Sequence, residues 1–170
     1  MAPQFLGWQK ALEERSSPYA ALLLRFALGS LFIAHLYWKF EILPGGVERW
    51  WSGFKTSGYP WFVPWYVISA EFVGAVLLIP GIYTRWACLY VLPLMIGATE
   101  FWWVRKGFYF TSAGCELPLL WACALLVQTL LGDGAFAVIP GARPRRSKDT
   151  PQPSNNRIWT PPASRRGNQV

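Results

Sequence analysis

Apolar residues run almost unbroken through four stretches of the chain, roughly residues 19–39 (YAALLLRFALGSLFIAHLYWK), 62–80 (FVPWYVISAEFVGAVLLIP), 84–104 (TRWACLYVLPLMIGATEFWWV) and 115–132 (CELPLLWACALLVQTLLG). Each stretch holds about 18 to 21 residues, which at about 1.5 Å per residue approaches the roughly 30 Å hydrocarbon thickness of a bilayer. Helices of a soluble bundle carry a polar stripe, whereas these runs are apolar nearly all round. The pattern predicts an all-α polytopic membrane protein, a bundle of four transmembrane helices spanning residues 19–138 after a cytoplasmic segment at 1–18. The first run is not expected to be a signal peptide: QKALEERSS ahead of it carries both signs of charge, the run is too long for a signal core, and no A-x-A-like site closes it.

Composition supports this class, since 53 % of the 170 residues are hydrophobic and only 15 % are charged, too apolar for an ordinary soluble domain of that length. Charge then sets an orientation. With four spans both termini share a side, and that side carries Lys10, Arg15, Arg85, Arg143, Arg145, Arg146 and Lys148 against Lys39, Arg49, Lys55, Arg105 and Lys106 opposite. The bias predicts cytoplasmic termini. Most tryptophans, from Trp38 and Trp50 to Trp102 and Trp103, fall on the far side, where amphipathic rings prefer headgroup depth. Residues 40–61 are too long for a tight turn and rich in Gly, Pro and Trp, so a short interfacial helix or lid is expected there. Residues 142–170 hold five prolines and seven basic residues against one acidic, which predicts a disordered tail drawn to anionic lipids rather than to nucleic acid.

Glu71 stands in the middle of the second run. A carboxylate at such a depth costs about 2.5–3.5 kcal/mol on insertion scales, so it should face protein, water or a cation. It is read either as a site residue or as one that only pairs helices. On the first run Arg25, Leu28, Phe32, His35 and Lys39 recur at steps of three and four, which puts all three ionisable side chains on one inward face. Gly29 beside that face, and Gly74 and Ala75 one turn from Glu71, suit a close approach at which His35 or Arg25 meets Glu71. Glu100 and Glu116 fall near the same outer side, so the expected polar site contains Arg25, His35, Lys39, Glu71, Glu100 and Glu116. Pro93, Gly97 and Glu100 share a face of the third helix, which Pro93 should kink. For Glu116 a plain helix-dipole role at a helix N-terminus competes with a place in the site.

These residues also form an ordered set of motifs. Arg25 stands near the start of the first helix and AHLYWK at its end, similar to an H-G-x-x-K pattern with Leu36 where Gly is usual. GYP precedes the second helix. E-x-x-G with PG-x-x-T-R follows (Glu71, Gly74, Pro80, Gly81, Thr84, Arg85), then G-x-E (Gly114, Glu116) before an apolar run, and a closing GDG from Gly132 to Gly134. The set resembles the DoxX family over about residues 19–138. The resemblance implies a four-helix bundle in a bacterial cytoplasmic membrane. It also implies a place among subunits of thiosulfate:quinone oxidoreductases, or of membrane oxidoreductase complexes linked to thiol and oxidative stress. The chain departs from the pattern at Leu36 and in AFAVIPG, which lacks the frequent S-x-D after the closing glycines.

No covalently bound cofactor is expected. A bis-histidine haem needs two histidines and the chain has one, while Cys88, Cys115 and Cys123 lack C-x-x-C spacing. Cys115, nearest the outer side, reads as a buried or capping cysteine. A quinone fits what remains, with His35 and Glu71 serving its polar head, aromatic walls its tail, and an oxidoreductase subunit supplying electrons. Against this stand a binding or transport module for a lipid or small solute, with Arg25 and Lys39 as charge partners, and a scaffold with no redox role.

Overall fold

The computed structural model describes residues 3–139, with side chains from residue 15 onward, and the expected tail at 142–170 lies outside the described residues. The fold is all-α, as the patterning predicts. Helix α1 runs Pro3–Tyr37 and passes through a π-helical turn at Trp38–Ile42; α2 is Gly46–Thr56, α3 Phe62–Leu78, α4 Thr84–Lys106 and α5 Glu116–Leu131. Among the described residues the only β pairing is an isolated parallel bridge between Ile82 and Ile139. The segment expected to precede the first helix is itself helical from Pro3, because Gln, Lys, Ala, Leu, Glu and Arg are strong helix formers. Two stretches, Arg15–Ile42 and Thr84–Lys106, are helical, long and apolar enough to cross a membrane, and Phe62–Leu78 and Glu116–Leu131 are shorter apolar helices.

Helix α1 packs on α3 and α5, α3 on α4, and α4 on α5, which closes a ring around one core. Leu28, Phe32, Ala70, Leu78, Val91 and Leu125 fill its axis. Small residues set the closest seam, between α1 and α3. The Phe32 ring lies where a side chain on Gly74 would be, and Ile79 lies where one on Gly29 would be. These two contacts fix an antiparallel register in which Gly29 of α1 meets the end of α3 and Phe32, further along α1, meets Gly74. Outward faces carry large apolar side chains, among them Leu23, Val104 and Leu130, the reverse of a water-facing helix.

The expected outer lid is α2. Its apolar positions fall on one face, where Trp50 and Phe54 pack 4.7 Å apart against the core cluster. Trp51 stacks edge-on to Trp65 at 4.7 Å, which ties α2 to the first turn of α3.

Helix α4 continues through Pro93, and the Tyr66 hydroxyl donates to the carbonyl of Tyr90 at 2.7 Å in the turn where a proline disturbs the hydrogen-bond ladder. The buried face of α4 is Thr84, Ala87, Cys88, Val91, Leu94 and Met95, so Pro93, Gly97 and Glu100 point away from the core. A side chain on Gly97 would meet nothing within 4 Å. Gly97→Ala is therefore expected to raise stability by about 0.5–1 kcal/mol through helix propensity, read as a higher unfolding midpoint in detergent.

Candidate functional site

The turn after α1 brings a cation to Glu71. The π turn is closed by the Leu43 amide donating to the Trp38 carbonyl at 2.8 Å, and from within it Lys39 reaches back into the bundle. Its ammonium donates to both carboxylate oxygens of Glu71, with Nζ 2.6 Å from Oε2. Both side chains are almost completely buried, at 5 % and 3 % exposure. The Trp50 ring of α2 lies 5.1 Å from the ammonium, so the lid helix covers the pair with an aromatic face.

His35 completes the group. Its Nδ1 stands 3.9 Å from Glu71 Oε1, and its side chain is 53 % exposed, so it links the buried pair to the surface. Trp121 of α5 braces the imidazole at 5.0 Å and the Phe32 ring at 5.3 Å. An apolar groove of about 370 Å³ opens on the α1–α3 seam, lined by Ile33, Leu36, Tyr37, Phe40, Glu41, Phe72, Ala75 and Val76. Phe72 and Ala75 flank Glu71 along α3, and Leu36, also packed against the core, stands between groove and interior.

The six predicted residues do not gather at one place. Lys39, Glu71 and His35 do; the expectation named His35 or Arg25 as the partner of Glu71, and Lys39 takes that position. Arg25 is excluded by register, because it lies against Gly81 in the turn beyond the end of α3, more than about 10 Å away by the roughly seven residues of helix from Glu71 to Leu78. Glu100 is exposed on the outward face of α4 and makes no ion pair among the described residues. Glu116 accepts a hydrogen bond from the Phe110 amide at 2.9 Å and so locks the loop before α5, its neighbour Cys115 being buried at the N-cap. Glu116→Ala is expected to cost about 1 kcal/mol of stability, read as a lower unfolding midpoint in detergent.

Arg25 instead belongs to a clasp at the other end of the ring. Its Nη2 donates to the Ala135 carbonyl at 2.8 Å, Asp133 accepts from the Thr84 amide at 3.1 Å, and the Ala135 amide donates to the Pro18 carbonyl at 2.8 Å. The PG and GDG motifs therefore build turns, while E-x-x-G and the His35 and Lys39 pair build the site. Trp50, Trp121 and Gln128 lie outside the predicted set. A polar residue inside an apolar run is the signal that could have marked Gln128; the two tryptophans carry no such signal, because their roles depend on which helices meet.

The family model for DoxX matches residues 20–106. A protein of Haemophilus influenzae described as uncharacterized is 34 % identical over 128 residues, which is 74 % of this chain and 92 % of that protein. No solved structure matches.

Proposed function

This chain belongs to the DoxX family of membrane proteins, and we propose that it is the membrane-embedded, quinone-facing subunit of an oxidoreductase complex. In this reading α1, α3, α4 and α5 all cross the bacterial cytoplasmic membrane with both termini in the cytoplasm. The 17 and 16 residues of α3 and α5 extend about 25 Å, short of the hydrocarbon thickness by an amount that their flanking turns and Trp-rich ends supply.

The observation that carries the proposal is the buried Lys39 and Glu71 pair with half-exposed His35 at its edge and an apolar groove beside it. Reducing a quinone to the quinol takes two electrons and two protons. A partner subunit supplies the electrons. The ammonium and an imidazole N–H donate hydrogen bonds to the ring oxygens, the carboxylate accepts one from the quinol hydroxyl, and carboxylate and imidazole are positions at which a proton is held; the groove receives the tail. The same geometry suits a lipid carrier, in which the pair recognises a polar headgroup and no electron moves.

Affinity purification of wild type, His35→Ala and Glu71→Gln from native membranes, with mass spectrometry of co-purifying proteins and extracted quinones, separates the readings. The proposal expects quinone and an oxidoreductase partner with the wild type, and quinone falling several-fold with either variant while the partner stays. Another lipid, or a quinone content indifferent to both substitutions, overturns it.

A further inference from the structure

The clasp end holds more hydrogen-bonding capacity than its protein partners use. Arg25, Thr84 and Gln128 are each 1 % exposed or less. Among the described residues the Arg25 Nε and Nη1, the Thr84 hydroxyl and the Gln128 carbonyl oxygen have no hydrogen-bond partner. Native interiors rarely leave such groups unpaired.

The three residues come from three helices and grip one turn. From α5, Gln128 Nε2 donates to the Gly132 carbonyl at 2.8 Å; from α4, the Thr84 amide donates to Asp133; from α1, Arg25 donates to the Ala135 carbonyl. Asp133 also acts electrostatically on Arg25 and on Cys88. The Pro80–Gly81 turn supplies the remaining wall, since Arg25 Nη1 occupies the space over Gly81.

The unpaired groups name the ligand. Two guanidinium N–H groups need acceptors, an amide oxygen needs a donor, and a hydroxyl takes either. An anion cannot serve the Gln128 oxygen and meets the Asp133 carboxylate; a cation meets Arg25. A small neutral molecule that both donates and accepts satisfies the whole set. We propose that Arg25, Thr84, Gln128 and the turn at 132–135 form an internal hydration site that holds ordered water at the clasp end of the ring. Leu28, Phe32, Leu78, Val91 and Leu125, each 2 % exposed or less, lie between this site and the Glu71 pair. That apolar layer keeps the two polar sites separate, so the described residues form no continuous polar path from one end of the ring to the other.

Cys88 and Cys115 report on this directly. Both are buried, Cys88 one turn of α4 from Thr84 and within electrostatic reach of Asp133, Cys115 at the N-cap of α5. Radiolytic hydroxyl-radical labelling of the full chain in lipid nanodiscs is expected to oxidise Cys88 several-fold faster than Cys115, while neither reacts with a maleimide. A Thr84→Val, Gln128→Leu protein should lose the difference. Equal rates in the wild type overturn the proposal whatever the variant does, and maleimide labelling of Cys88 overturns it by showing an opening to bulk water instead of an enclosed site.

Discussion

Lys39→Met is expected to lower the unfolding free energy by about 3–5 kcal/mol, because it strands a buried carboxylate that has lost the ammonium donating to both of its oxygens. His35 stands too far from Glu71 Oε1, at 3.9 Å, to replace two hydrogen bonds from the ammonium. The second substitution makes the result diagnostic. Replacing both partners, as in Lys39→Met with Glu71→Leu, removes the desolvation cost of each charge along with their attraction, and such exchanges range from neutral to stabilising. The double variant should therefore return to within about 1 kcal/mol of wild type in detergent unfolding. If it does so and also retains the quinone of the wild type, the pair is only a helix fastener and the proposed function falls. A single variant as stable as wild type would mean that water reaches Glu71.

Gly81→Ala should destabilise by roughly 3 kcal/mol or more, from two separable causes. Gly81 has φ +74°, a conformation that costs an L-residue about 1–2 kcal/mol. The added methyl would also occupy the position of Arg25 Nη1 and stand 3.0 Å from the Ala137 backbone, so the guanidinium must move off the Ala135 carbonyl. Losing a charged hydrogen bond inside the protein adds about 1.5–3 kcal/mol. Thermal unfolding of Gly81→Ala beside Gly97→Ala tests the assignment, since the same chemical change is expected to have opposite signs at the two positions. A matching response at both would show that Arg25 does not rest on the Pro80–Gly81 turn.

The helices were legible because burial in an apolar medium leaves its mark on every residue of a segment. An unbroken apolar run, a breaker pair such as Pro80–Gly81, and a Trp-rich end can each be read without a neighbour. Close packing of the first helix on the one carrying Glu71 was legible for the same reason, since Gly29 and Gly74 announce a near surface whatever that surface is. The short helix within residues 40–61 was expected, as a helix or a lid, from the length of that stretch and its Gly, Pro and Trp content.

Partnerships were another matter. The stripe Arg25, Leu28, Phe32 and His35 follows α1 into the π turn that carries Lys39, yet a stripe about 21 Å long passes two different environments and leaves His35 half exposed, and only the register against α3 says which residue meets which. Periodicity likewise places Glu100 on a line with Pro93 and Gly97 but not the direction that line points. It points outward because α4 turns Cys88, Val91 and Met95 to the core instead. The π turn mattered as much, because a wider backbone turn changes where Lys39 is carried.

By itself, then, the sequence determined the helical class, the apolar faces, the small-residue seam and the presence of a carboxylate that must face protein, water or a cation instead of lipid, since each depends on one residue or one segment meeting its surroundings. Tertiary structure alone decided that the cation is Lys39, that Trp50 covers it, and that Arg25 serves a separate clasp. Those are relations between residues far apart in the chain, set by the register and rotation of whole helices, and a single-helix pattern carries no information about either.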